Sequence, residues 1–161
     1  MMKSRIKQLF ILVVPILIIS SAFLMKNMEL KKELGDQYQR EMQQASDYLG
    51  ALSRMSPSEL QETGESNLFL YQLIYLSHIS FTIQHQELAD LLMDTEHKLR
   101  SVSSLNEEEL KALDTDIRKL AFTVNDLIVE IGDKRMDWYQ FHQRPSKSVL
   151  ERIDERLAME Y

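Results

Sequence analysis

"NLFLYQLIYLSHISFTIQ", Asn67 to Gln84, is apolar on nearly every side of a helix, and its placement decides the topology of the chain. If it spans lipid, the protein has two membrane segments; if it is buried in protein, it has one, and this stretch is core. Leu68 to Ile83 includes Gln72, Ser77, His78, Ser80 and Thr82, and the run passes without a turn into the charged "QELADLLMDTEHKLR". A run this short and this polar is the pattern of a core helix.

The better membrane segment lies upstream. Leu9 to Met25, "LFILVVPILIISSAFLM", carries no charge, follows Lys3, Arg5 and Lys7, and is closed by Lys26. At 1.5 Å per residue it reaches the lower limit for a ~30 Å hydrocarbon core, with Lys7 and Lys26 snorkelling to make up the difference. Ser20, Ser21 and Ala22 would serve a signal-peptide cleavage site, but no polar breaker follows and the residues after it continue a helical pattern. The expected organisation is a short basic tail over 1–8, an uncleaved transmembrane signal-anchor helix over 9–25, and an extracytoplasmic helical bundle over 26–161. The dense positive charge of the tail places the N-terminus in the cytoplasm and the body outside, in a single-pass cell-membrane topology.

Composition agrees with helices. Gly 4 and Pro 3 leave few turns, 44% hydrophobic residues are too many for a disordered chain, and Cys 0 excludes disulfides, thiolate metal sites and cysteine nucleophiles. Without Lys3, Arg5 and Lys7 the rest of the chain holds 16 Lys+Arg against 25 Asp+Glu, a net charge of −9. An acidic body without a basic stripe argues against nucleic acid as a partner.

Spacing and caps divide the body into three long helices and one short one with coiled-coil-like packing. Leu34, Tyr38, Met42, Ala45, Leu49 and Leu52 form the first seam, expected to end near Met55. Ser56, Pro57 and Glu59 signal a new helix start, and "ETGES" a turn. A second long helix is expected from Ser66 to Ser101. Asn106 with Glu109 is a capping box for the third, whose seam runs Leu110, Leu113, Ile117, Leu120, Val124, Leu127 and Ile131. Gly132 interrupts it, Pro145 ends it, and Ser148 with Glu151 reads as the cap of a final helix. Turns at Gly64, near Ser104 and at Pro145 make neighbouring helices antiparallel. The third helix is then parallel to the first, and its end lies far from the membrane.

No residue pattern points to catalysis or to a cofactor. Gly-rich phosphate loops and nucleophile motifs are missing. Glu87, Asp90, Asp94 and His97 share a helix face, but no second carboxylate–histidine pair exists to complete a di-metal site, and a solvated acidic face is the expectation. His78 and His85 read as satisfied structural histidines, with no matched carboxylate beside them in sequence. In "DWYQFH", Trp138, Tyr139 and Phe141 point to different sides of one helix. The candidate interface is therefore an apolar patch at the far end, formed by Leu68, Tyr75, Ile79, Trp138 and Tyr139. The function expected is non-enzymatic: a membrane-anchored adaptor, inhibitor or assembly factor that contacts a membrane or envelope protein, or a second copy of itself. A tethered sensor binding a small ligand or cation between helices is the alternative, and a coiled-coil scaffold a further one.

Overall fold

The computed structural model of the chain describes residues 2–63 and 85–159, with side chains from residue 17 onward apart from Pro57 and Thr63. Every regular element among them is helical. α1, Met2–Leu52, is one unbroken helix whose C-terminal half enters the bundle. Gly35, Met42, Ala45, Leu49 and Leu52 are buried along one face and Tyr38 is half-buried. Leu34, expected to begin this seam, is 40% exposed. The buried face is centred on Gly35, and Leu34 stands about 100° round the helix from it.

Ser56 then starts α2, Pro57–Thr63. Its amide and hydroxyl both donate to Glu59 Oε2 at 2.7 Å, and Glu59 N returns a bond to Ser56 Oγ. This is the reciprocal pattern expected from "SPSE".

The expected helix from Ser66 to Ser101 does not continue through His85. Here the backbone is extended, φ −98° and ψ 93°, and the imidazole caps a new helix, α3, Gln86–Arg100. Nothing in the spacing of apolar residues announced this break. A short 3-10 turn, Val102–Ser104, leads to α4, Glu107–Ile131, which opens with the Asn106–Glu109 capping box. α4 is the centre of the bundle. Leu110, Leu113, Ile117, Leu120, Val124, Leu127 and Ile131 are all buried, together with Thr123, whose hydroxyl donates to Lys119 O. Each fully buried leucine or isoleucine contributes roughly 1.5–3 kcal/mol relative to its exposed state.

α4 stops at Gly132, whose φ of +77° is the left-handed conformation that side chains resist. α5, Arg135–Gln143, and α6, Lys147–Leu157, follow. α6 is capped by Ser146 and not by Ser148: Ser146 Oγ accepts from Val149 N, while Ser148 Oγ bonds Ser146 Oγ. Pro145 holds Arg144 extended, which places the first non-helical hydroxyl at Ser146.

Side-chain contacts fix the directions. At the far end, Gln61 of α2 donates to Leu105 O, just before α4 begins. At the near end, where the N-terminal half of α1 leaves the bundle, Arg135 of α5 pairs with Asp36. α4 is therefore antiparallel to α1. α3 lies beside α4 in the opposite sense, through Lys98 to Asp116, and α6 returns along α4 until Lys119 reaches Leu157 O. So α3 runs with α1, and the third long helix runs against it. This reverses the expected arrangement, and the aromatic α5 sits at the near end. The physical reason lies in the described contacts: α3, starting at Gln86, runs with α1, and the short turn at Val102–Ser104 folds α4 back on it, so the third long helix must run against α1.

Among the described residues no helix is long and apolar enough to cross a membrane. The run 9–25 is only partly within that description, because side chains are described from Leu17.

Candidate functional site

Of the five residues expected to form a contact patch, Leu68, Tyr75 and Ile79 lie outside the described residues. Trp138 is 0% exposed. Its Nε1 donates to Gly132 O at 2.7 Å, and its ring meets Phe141 edge-on at 6.2 Å between centroids. It belongs to the core, and the expectation of an exposed tryptophan at a far-end interface is corrected. The cause is α5 itself, which folds back onto α1 after the Gly132 turn and encloses its largest side chain. Tyr139, one residue on, remains half-buried, with the Lys31 ammonium 5.6 Å from its ring centroid.

These contacts form a clasp between α1 and α5. A Cβ on Gly35 would lie 1.8 Å from Arg135 O, 2.7 Å from Arg135 C and 3.2 Å from Tyr139 N. All three are backbone atoms, so only glycine lets the two helices touch main chain to main chain. Tyr38 and the buried His142 stack one turn further along α1, 3.6 Å between centroids and 19° between planes. Asp36 receives both Arg135 and Arg40 at 3.1 Å. Sequence inspection could find the signal for this site in one place, a glycine within a helix where alanine would be the better helix former.

His85 makes a second junction. Its Nδ1 accepts from Leu88 N at 3.2 Å, which assigns the proton to Nε2, and Nε2 lies 2.9 Å from Asp154 Oδ1 on α6. The carboxylate that His85 meets thus comes from 69 positions away along the chain. Glu87, Asp90, Asp94 and His97 are all exposed, and Asp94 is engaged by Lys98 at 2.5 Å. Lys98 also meets Asp116 at 2.8 Å. Burial disfavours its charge, but the hydrogen bonds and fields of Asp116 and Asp94 outweigh that and hold the ammonium above its ordinary range. Among the described residues no group of three or more His, Asp or Glu is placed to hold a metal ion.

Among the described residues, exposed apolar side chains gather on α1 and on α4. On α1, Leu17, Ile18, Ile19, Phe23, Leu24 and Met25 are each more than 60% exposed. On α4, Phe122 and Val129 are 49% and 74% exposed and share one face at a heptad spacing. Beside Phe122 runs a groove of about 240 Å³ floored by Ser46, Gly50 and Ser53 of α1. No protein-family model, no curated protein and no solved structure matches this chain, so its function has to be argued from its own residues.

Proposed function

We propose that this chain is a single-pass, membrane-anchored helical bundle that works by protein–protein contact and not by catalysis. The observation that carries the reading is the exposed segment of α1. At about 100° per residue, Leu17, Ile18, Ile19, Ala22, Phe23, Leu24 and Met25 point in every direction round the helix. A protein partner would cover one stripe, whereas a helix apolar on all sides needs an apolar surround, and lipid supplies it. Together with residues 9–16 of the sequence this makes the anchor over 9–25, with the basic tail in the cytoplasm and the body outside.

The contact surface is the outer face of α4, where Phe122 and Val129 replace Trp138 as apolar anchors for a membrane or envelope protein or for a second copy. Confinement to the bilayer raises the effective concentration of either partner, so a modest surface suffices.

The test is alkaline extraction of membranes from cells making the full chain, beside an Ile18→Lys, Phe23→Lys variant. The wild type should stay with the bilayer and the variant should be released. A wild type recovered in the aqueous fraction would remove the anchor from the proposal. Because the chain has no native cysteine, Glu108→Cys at the far end also reports sidedness: labelling in intact cells by a membrane-impermeant maleimide is expected, and protection would invert the topology.

A further inference from the structure

We infer that the cleft where α4, α5 and α6 meet binds a small zwitterion of dipeptide size, its ammonium held by Glu130 and Asp137 and its carboxylate by Arg144. The inference goes beyond protein contact and does not depend on the membrane anchor. The cleft encloses about 260 Å³. Ile131 from the end of α4, Phe141 from α5 and Val149 from α6 are buried and form its apolar floor. Its walls are polar and carry both signs of charge.

Those charges are left unused by the fold. Each Lys or Arg within α5 and α6 is in an ion pair: Arg135 with Asp36, Lys147 with Glu151, Arg152 with Glu155 and Arg156 with Asp126. Arg144, the C-cap of α5, pairs with no described residue, and neither do Glu130 and Asp137, although all three line one cleft. Carboxylates and guanidinium are therefore held apart across it, and a molecule with an ammonium at one end and a carboxylate at the other satisfies both. The hydroxyls of Ser146 and Ser148 line the anionic end. They bond each other at 3.0 Å, and Ser146 Oγ already accepts from Val149 N, so one O–H remains to donate.

Spacing sets the size of the occupant. Asp137 lies in the first turn of α5 and Arg144 seven residues on, two turns or about 10 Å along the axis. A single amino acid, at ~3.5 Å, falls short of both, whereas an extended dipeptide spans ~7 Å and reaches each side chain with a hydrogen bond of ~2.8 Å. The volume agrees, being room for about nine water-sized groups at ~30 Å³ each.

The experiment follows the amide resonances of Ser148 and Val149 in the full chain, in mild detergent, during titration with glycylglycine. Saturable shifts are expected, with an affinity on the order of millimolar because the charges are solvent-exposed. Glycylglycinamide, which lacks the carboxylate, and N-acetylglycylglycine, which lacks the ammonium, should each bind several-fold more weakly. Arg144→Gln and Asp137→Asn should weaken glycylglycine to a similar extent, with helicity and Trp138 emission unchanged. If Asp137→Asn loosens α5, Glu130→Gln on α4 takes its place, since losing an acid from the last turn of a helix does not destabilise it. No saturation, equal binding by either blocked dipeptide, or full binding by a folded Arg144→Gln chain overturns the site and leaves the anchored-bundle reading untouched.

Discussion

Replacing Gly35 by alanine sets two effects of known sign against each other. Alanine favours the helix interior by about 0.8–1.0 kcal/mol over glycine, so on local grounds α1 gains. The new methyl, however, would lie 1.8 Å from Arg135 O, and a backbone carbonyl cannot rotate aside as a side chain does. Overpacking of this kind costs about 1–3 kcal/mol, and a rigid neighbour places it in the upper half of that range. The net expectation is a loss of about 1–2 kcal/mol if α5 only shifts. If α5 lifts off, Trp138 and Phe141 leave the core, and at roughly 1.5–3 kcal/mol each the loss is correspondingly larger. Trp138 is the single tryptophan, so its emission reports α5 directly. Denaturant unfolding of the full chain in mild detergent, followed by Trp138 fluorescence and by helicity, should show a lower midpoint and a red-shifted native spectrum. Gly50→Ala is the matched control: a Cβ there meets nothing within 4 Å, so the variant should gain about 0.8–1.0 kcal/mol. A Gly35→Ala protein as stable as Gly50→Ala, with unshifted emission, would refute the clasp.

Three further expectations concern the caps and the contact face. His85→Ala removes both the cap of α3 and the tie to Asp154 and should cost about 1–3 kcal/mol, whereas His85→Asn keeps a cap and should recover part of it; equal losses in thermal unfolding would show that capping contributes nothing. The Ser56 amide, then its hydroxyl, hold the Glu59 carboxyl below its ordinary range, so its contribution to α2 is fully present above that range and is lost as pH falls through the folded value; the Ser56 amide resonance should move over that acidic window, and a titration at the ordinary glutamate value would contradict the bond. A photo-crosslinker at Val129 in native membranes should give one discrete adduct, at twice 18.9 kDa for a homodimer and at another mass for a different partner, while a smear or no adduct would sink α4 as the contact face.

The sequence by itself determined most of the local structure. The Asn106–Glu109 and Ser56–Glu59 caps and the uninterrupted seam of α4 depend on residues close along the chain, whereas Gly132, read as an interruption of one helix running to Pro145, ends α4 outright. Tertiary structure decided the rest. His85 stands outside a helix at the head of α3, and its imidazole bonds Asp154, 69 residues away, a partner that no local pattern announces. The sense of α3 and α4, and so the end at which α5 lies, is fixed by contacts between helices far apart in sequence. The burial of Trp138 was likewise a tertiary outcome: whether an aromatic side chain is surface or core depends on which helix covers it, and here α5 can approach α1 only because position 35 has no side chain.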